Sequence, residues 1–374
     1  MSLPEIPSPC FVLQEDRLKR NLQLMKEVQE RSGAKIILAF KGFAMWSAFP
    51  LIREYLGGAT ASSLHEARLC VEEMGVASHT YMVAYPPREF QQIAGLSSHM
   101  TFNSWSQWMQ FSDQVPDEVS CAIRVNPGWS DVDTDLYNPA GLNSRLGVSS
   151  QDMPDELPAK IEGLHFHVLC ESNSYALEKV LKQLESGFEK FLHQIKWLNM
   201  GGGHLMTSEG YDVDHLVTLL KAFREKYNLD IILEPGSAVA WQTGDLHATV
   251  LDVVERGGVK TAIADISFTC HMPDCLEMPY RPVITDAHQD TGQGKYAYRI
   301  GGVSCLAGDF LEAYGFDQEL KPGDPLIFED MMHYTMVKTT VFNGVQHPAI
   351  GVVRNGEFEL VREFGYQDYK SRLS

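Results

Sequence analysis

A lysine, a pair of histidines and a glutamate stand at the ends of apolar segments in the first two thirds of the sequence. Lys41 follows LAF directly, His165 and His167 occur in LHFHV, and Glu234 occurs in LEPG. A lysine shielded from water can act as a nucleophile, and two histidines two residues apart on a strand lie on one face. This pair suits three roles: packing in a core, binding a metal as an HxH motif, or stacking an imidazole on a planar cofactor.

Three consecutive glycines, Gly201, Gly202 and Gly203, follow another apolar segment. They could form a tight turn, but their backbone N–H groups could also close around a phosphate, and barrels often bind phosphate after their seventh and eighth strands. We favour the phosphate interpretation. Because these later segments end in glycines and in Glu-Pro-Gly rather than in further histidines or aspartates, no metal site is expected.

Apolar β-type segments alternate with helical patterns from residue 15 to about residue 240. The strand candidates are Lys35–Phe40, Gly58–Ser62, Thr80–Ala84, Met100–Asn103, Ala122–Asn126, Gly163–His167, Trp197–Gly201 and Ile231–Glu234. Eight such units predict an α/β fold of the TIM type, a (β/α)8 barrel, whose active site lies at the C-terminal ends of its strands. A doubly wound sheet is the alternative, but no GxGxxG opens a helix after the first strand.

After residue 242 the alternation of strand and helix patterns gives way to mainly β-type patterns. The β-rich segments there are Gly244–Glu255, Lys260–Phe268, Tyr296–Ser304, Pro325–Phe328 and Ala349–Leu360. We therefore expect a barrel over residues 15–242 and a C-terminal β domain over residues 243–374. A strand within residues 1–14 is expected to join the β domain.

Composition restricts the class of protein. With 49 acidic against 31 basic residues, the net charge is -18, which disfavours binding to nucleic acid and to anionic membranes. A hydrophobic share of 44% without a run long enough to cross a bilayer is typical of a soluble protein. Seven scattered cysteines and an N-terminus without a signal peptide predict a cytoplasmic location.

Seven segments carry a resemblance to a known superfamily or to one branch of it. LAFKG, FHVLCES, MGGGH and LEPGSAVAW, in this order, resemble the fold-type III pyridoxal-phosphate decarboxylases, which include ornithine and diaminopimelate decarboxylases and share a superfamily with alanine racemase. GGVSCLAGD and MMHYTMVKTTVFNG resemble its cysteine-bearing and tyrosine-bearing loops. Residues 267–282, SFTCHMPDCLEMPYRP, and the tyrosine-bearing segment look much closer to the carboxynorspermidine/carboxyspermidine decarboxylase branch. Ser237 departs from the arginine that ornithine and diaminopimelate decarboxylases generally carry after EPG.

The resemblance implies a cofactor, pyridoxal 5'-phosphate, and a role for each matching residue. Lys41 would form the Schiff base, His167 would stack on the pyridine ring, and Glu234 would contact the ring nitrogen. The phosphate would be held by Gly201, Gly202, Gly203 and Gly236, and Tyr334 would contact phosphate or substrate. Ser62 and Arg145 match positions that line the cofactor pocket.

The C-terminal segments would complete the active site. Cys305 would return a proton to the substrate carbon, and relatives are head-to-tail homodimers in which this loop belongs to the neighbouring subunit. Asp274 and Glu277 are acidic residues suited to a distal ammonium of the substrate. The catalytic residues implied are thus Lys41, His167, Glu234 and Cys305.

The expected function is decarboxylation of carboxynorspermidine and/or carboxyspermidine to norspermidine or spermidine. Glu234 favours decarboxylation, because the racemase branch places an arginine at the ring nitrogen. The alternatives within the superfamily are diaminopimelate and ornithine decarboxylase. Alternatives of another class are a metal-dependent barrel hydrolase, which would use His165 and His167, and a non-catalytic regulatory relative.

Overall fold

The computed structural model describes residues 6–132, 137–141, 143–278 and 280–374, which form two compact units. The described chain begins with strand β1 (Cys10–Gln14) and helix α1 (Glu15–Ser32). One unit spans Arg20–Val239, and the other combines Ala240–Ser374 with the chain up to Lys19. Among the described residues, no helix is both long enough and apolar enough to cross a membrane.

The sheet of the Arg20–Val239 unit is a nearly closed parallel barrel. Its strands are β2 (Lys35–Ile36), β3 (Leu38–Ala39), β4 (Ala59–Ala61), β5 (Ser78–Met82), β6 (Ser97–Phe102), β7 (Ser120–Arg124), β8 (Ile161–His165), β9 (Trp197–Asn199) and β10 (Asp230–Leu233). Strands β2 and β3 are two halves of one strand separated at Ile37, and they pair with β10 and β4 respectively. The last strand therefore meets the first, and the predicted (β/α)8 barrel is confirmed.

Helices alternate with these strands: α2 (Phe49–Ile52), α3 (Leu64–Leu69), α4 (Phe90–Leu96), α5 (Trp105–Phe111), α6 (Ser174–Leu192), α7 (Val213–Tyr227) and α8 (Ser237–Ala240). Three of these helices have a polar N-cap residue immediately before their first turn. The side chains of Ser63, Ser104 and Asn173 accept backbone N–H groups from the first turns of α3, α5 and α6. Such caps satisfy N–H groups that have no partner within the helix, so the strand-to-helix turns are defined locally.

The barrel interior is packed with side chains from several strands. Ile37, Ala122, Trp197 and Ile232 form one buried cluster. Gly163 faces the Trp197 ring so closely that a Cβ atom there would lie 2.3 Å from it. The glycine leaves room for the indole, and the barrel is a packed core rather than a channel.

Several predicted strands extend beyond the ladders that the structure shows. The strand predicted over Gly163–His167 is β8, which ends at His165, and the one predicted over Thr80–Ala84 is β5, which ends at Met82. The apolar pattern continues past the last paired residue because Phe166 remains fully buried. His167 therefore lies in the loop after β8 and not on the strand.

The second unit is a β-rich domain. It contains β1, β11 (Gly244–Arg256), β12 (Val259–Ala264), β13 (Ala287–His288), β14 (Tyr296–Gly301), β15 (Phe310–Phe316), β16 (Pro325–Phe328), β17 (Ala349–Arg354) and β18 (Glu357–Arg362), with helices α9 (Phe268–His271), α10 (Asp274–Glu277) and α11 (Tyr366–Ser371). The sheet order is β13-β15-β14-β12-β11-β1-β17-β18, and β16 pairs with β11. The predicted C-terminal β-rich domain is confirmed, and β1 lies in its sheet between β11 and β17.

Candidate active site

Four predicted site elements meet at one edge of the barrel. Lys41 follows β3, His167 follows β8, the triple glycine follows β9 and Glu234 follows β10 directly. All these strands are parallel, so their carboxyl ends lie at the same edge of the sheet. Motifs that are far apart in the sequence therefore lie next to one another in a single site.

Hydrogen bonds join Lys41 to the glycine loop through His167. The Lys41 Nζ atom lies 3.2 Å from His167 Nε2, and the Gly202 N–H donates to His167 Nδ1 at 3.0 Å. Because Nδ1 accepts, a neutral His167 ring carries its proton on Nε2. Nε2 then donates to Lys41, which must be an unprotonated amine to accept.

The electrostatics of the two groups agree with this protonation state. Part of the Lys41 side chain is exposed, but desolvation lowers its pKa overall, with Glu234 acting to raise it and the nearby Arg124 charge acting to lower it. Burial, together with the positive charge of Arg124, holds the pKa of His167 well below its usual range. A neutral lysine amine is the form that attacks an aldehyde.

Glu234 is a buried carboxylate, 7% exposed, with different partners on its two oxygens. Asn199 Nδ2 donates to Oε1, while Oε2 lies 3.8 Å from His165 Nε2. Burial raises the pKa of Glu234 overall, and the Asn199 hydrogen bond and the charge of Arg124 offset part of this increase. Neither ring nitrogen of His165 has a hydrogen-bond partner among the described residues.

The glycine loop packs so tightly that side chains do not fit. A Cβ atom at Gly202 would lie 2.4 Å from the Glu234 carbonyl oxygen, and one at Gly203 would lie 2.2 Å from the Leu169 carbonyl oxygen. Gly203 also has a φ of 86°, which favours glycine. Gly236 contacts Gly42 closely, since a Cβ atom at Gly42 would lie 2.6 Å from the Gly236 Cα atom.

Arg124 and Asn199 are site residues that the sequence interpretation missed. Arg124 is 5% exposed, donates to the His167 carbonyl oxygen at 2.9 Å, and its guanidinium lies 4.7 Å from the Tyr81 ring centroid. Its one signal was a charged residue inside the predicted strand Ala122–Asn126. Asn199 had no signal beyond its place before the glycines.

Ser62 and Arg145 lie in loops that border this site. The Ser62 N–H donates to Glu66 Oε2 at 2.6 Å, and burial raises the pKa of that carboxyl although this hydrogen bond acts to lower it. The carbonyl of Arg145 accepts from Asn103 Nδ2 at 2.9 Å. The hydroxyl of Ser237, after the EPG motif, donates to Glu171 at 3.2 Å.

The remaining predicted residues meet in the β-rich unit. Cys305 is exposed in the loop between β14 and β15, and its N–H donates to Asn343 Oδ1 at 2.8 Å. Asp274 begins α10 and accepts a hydrogen bond of 2.6 Å from Lys338, whose Nζ atom lies 5.6 Å from the Tyr334 ring centroid.

Further hydrogen bonds connect the segments that carry these residues. The Thr340 N–H donates to the Cys270 carbonyl at 2.8 Å. Asp309, which is buried, accepts from the N–H groups of Phe268 and Ser304 at 2.7 and 3.1 Å. Residues 267–278, 302–309 and 334–347 therefore form one hydrogen-bonded group, in which Glu277 is exposed at the end of α10.

The metal-binding alternative can be tested against the same geometry. His165, His167 and Glu234 bring one ligand atom each within 4.8 Å of one another. However, both nitrogens of His167 already have partners, and the positively charged Arg124 lies beside the group. A divalent cation would have to displace Lys41, which argues for a lysine-based site instead.

Comparisons with known proteins agree with this geometry. A family model described as pyridoxal-dependent decarboxylase, C-terminal sheet domain, matches residues 76–332. A carboxynorspermidine/carboxyspermidine decarboxylase from Campylobacter jejuni is 42% identical over the full length of both chains. This chain belongs to the same family of pyridoxal-dependent decarboxylases. It is a carboxy-lyase, as predicted, and the metal-dependent hydrolase alternative is wrong.

Other known proteins resemble this chain to different degrees in sequence and in structure. A carboxyaminopropylagmatine decarboxylase from Synechocystis sp. is 52% identical over 99% of this chain and 96% of its own length. The crystal structure of carboxynorspermidine decarboxylase from C. jejuni, complexed with norspermidine, matches with a TM-score of 0.92 at 42% identity, covering 98% of this chain and 100% of that one. A diaminopimelate decarboxylase structure matches with a TM-score of 0.83 at 19% identity over 98% of this chain and 94% of that one, which shows the shared fold alone.

Proposed function

We propose that this decarboxylase uses pyridoxal 5'-phosphate to convert carboxynorspermidine and carboxyspermidine to norspermidine and spermidine in polyamine biosynthesis. The observation that carries the proposal is the hydrogen-bonded series of Lys41, His167 and Gly202 beside the buried Glu234. It occurs in a chain that is similar over its whole length to an enzyme crystallised with norspermidine.

The residues present fit the cofactor. An unprotonated Lys41 suits its aldehyde, His167 its ring, and the buried Glu234 carboxylate its ring nitrogen. The phosphate would be held by Gly201, Gly202, Gly203 and Gly236, with Tyr334 as a further contact. When bound, the cofactor supplies an electron sink for the pair of electrons that the departing carboxylate leaves.

The two units would divide the work. The barrel, over residues 15–242, would bind the cofactor, and residues 243–374 would complete the site of a neighbouring subunit in a head-to-tail homodimer. Seven free cysteines support a reducing, cytoplasmic location. We propose Cys305 as the acid, because its exposed thiol lies on a loop whose backbone is fixed by Asn343.

We expect Cys305→Ala to change which product forms. The thiol gives its proton to the substrate α-carbon after carbon dioxide leaves, and the thiolate then regains a proton from solvent. Without this acid the α-carbon would be protonated more slowly and less selectively, so kcat should fall by roughly 10²-fold and abortive transamination should rise. Polyamine and the amine form of the cofactor are both quantified, with Cys170→Ala, the other exposed cysteine, as the control. Unchanged partitioning in Cys305→Ala would remove the role from Cys305.

Asp274 and Glu277 would contact the distal end of the substrate. Asp274 forms an ion pair with Lys338, so it is ionised and held in place at this position. A carboxylate held in this way would attract an amine of an extended polyamine. Lys338 thereby becomes part of the proposed recognition group.

A second substrate is favoured by the 52% identical relative, whose name gives carboxyaminopropylagmatine. Agmatine ends in a guanidinium, which is planar and binds carboxylates through two parallel hydrogen bonds, whereas norspermidine ends in a compact ammonium. The reaction at the α-carbon would be the same. Only the distal contacts would differ.

The proposed function is tested by carbon dioxide release from five substrates side by side: carboxynorspermidine, carboxyspermidine, carboxyaminopropylagmatine, diaminopimelate and ornithine. We expect kcat/KM for the carboxylated polyamines to exceed that for diaminopimelate and ornithine by at least about 100-fold, because the shorter substrates lack the distal amine that would contact Asp274 and Glu277. Preference for diaminopimelate or ornithine contradicts the proposal. Preference for carboxyaminopropylagmatine selects the second substrate.

A further inference from the structure

Asn199 connects two parts of the site that are distant in the sequence, the glycine loop and Glu234. It is the last residue of β9 and is 2% exposed. Its Oδ1 atom accepts the Gly201 N–H at 2.8 Å, and its Nδ2 group donates to Glu234 Oε1. One side chain thus contacts both the glycine loop and the carboxylate.

The backbone strengthens the same connection. The Glu234 N–H donates to the Gly201 carbonyl at 2.8 Å, and the Phe166 N–H donates to the Asn199 carbonyl at 2.9 Å. The strand ends of β8, β9 and β10 are therefore tied together around Asn199. Movement of the Glu234 side chain would break its hydrogen bond to Asn199, the side chain that also accepts from the glycine loop.

The hydrogen bond distinguishes the two oxygens of Glu234. Oε1 is engaged by Asn199, and Oε2 faces His165, whose ring nitrogens have no hydrogen-bond partner among the described residues. A donor on one oxygen also favours the ionised form of a carboxylate in a buried site. Of the two oxygens, Oε2 is consequently the one that we expect to accept a hydrogen bond from a bound group.

We propose that Asn199 is the positioning residue that holds Glu234 ionised, with Oε2 directed to the cofactor ring nitrogen, and fixes the glycine loop in register with it. This inference rests on the proposed cofactor. Asn199 touches no reacting atom and acts through Glu234 and Gly201. Asn199 would then fix the position of the ring contact, Glu234, relative to the phosphate contact, the glycine loop.

The test is a pH titration of the long-wavelength absorbance band of the cofactor, with cofactor affinity measured by fluorescence. Asn199→Leu keeps the volume but removes both hydrogen bonds. We expect the midpoint of the absorbance titration to fall by about one pH unit, because Glu234 without its Asn199 donor is more easily protonated and then stabilises a ring proton less well. We expect the cofactor Kd to rise about tenfold, because the glycine loop loses its hydrogen bond to Asn199. Asn199→Ser serves if the leucine variant does not fold, since its hydroxyl is too short to bridge both groups.

Asn103→Leu is the matched control. Asn103 is another buried asparagine just after a barrel strand, and it accepts from Tyr81 and Gly147 and donates to Arg145 without contacting Glu234. It should lose comparable thermal stability while the midpoint stays unchanged. A merely structural role for Asn199 predicts the same result for both variants.

A double-mutant comparison separates an effect through Glu234 from any other. In a Glu234→Gln background the residue at 234 carries no charge, so Asn199→Leu should not shift the midpoint further. An unchanged midpoint in Asn199→Leu alone, or an equal shift in the Glu234→Gln background, overturns the inference. If wild-type protein shows no band with the cofactor, it is the proposed function that fails.

Discussion

Lys41→Ala is expected to remove the long-wavelength absorbance band of the cofactor and to reduce decarboxylation by at least about a thousandfold. The reason is that Lys41 provides the amine that holds the cofactor aldehyde. The band is recorded after incubation with the cofactor and dialysis, and carbon dioxide release is measured on the same sample.

Lys35→Ala is a stringent control for this result. Lys35 lies on β2, the first half of the same barrel strand, and its pKa is also lowered by burial, but its Nζ atom lies 3.4 Å from His79 at the opposite edge of the barrel. It should keep the band and the activity. Loss of the band in Lys35→Ala, or its persistence in Lys41→Ala, would assign the cofactor to another lysine.

The lowered pKa of Lys41 adds a dependence on pH. An amine with a depressed pKa is largely neutral at a lower pH than an ordinary lysine, so attachment of the cofactor to the apoenzyme should reach its maximal rate well below pH 10.5. A rate that rises tenfold per pH unit up to pH 10 would show an unperturbed lysine.

The barrel could be predicted from sequence because each βα unit leaves a local pattern. Strand ends could not, since burial of residues such as Phe166 continues the apolar pattern beyond the ladder. Strand β15 was missed for a similar local reason, because Glu312 and Gly315 interrupt the pattern of Phe310–Phe316. The β-rich segment Ala349–Leu360 falls within the hairpin of β17 and β18, which turns at Asn355 and Gly356.

The site divides in the same way between local and distant signals. Lys41, His167 and Glu234 are recognisable because each belongs to a short motif. Asn199 and the Asp274–Lys338 ion pair are not, because their roles depend on partners brought together only by folding. Lys338 is 64 positions from Asp274, and neither residue predicts the other.

Glu234→Gln is expected to lower kcat by about 10²–10³-fold while KM changes little. Glutamine preserves the size of the side chain and can still accept the Asn199 hydrogen bond, so the cofactor should remain bound. What is lost is the negative charge that stabilises a protonated ring nitrogen, and that charge matters most in the transition state for loss of carbon dioxide.

The measurement is steady-state carbon dioxide release with the preferred substrate, together with the absorbance spectrum of the bound cofactor. Glu162→Gln is the control, because Glu162 lies on β8, where it binds Ser120 and Lys196 rather than any residue of the site. It should retain kcat. A Glu234→Gln variant with unchanged kcat would mean that the ring nitrogen needs no anion, and the choice of decarboxylation over racemisation would then have to come from the residues around Cys305.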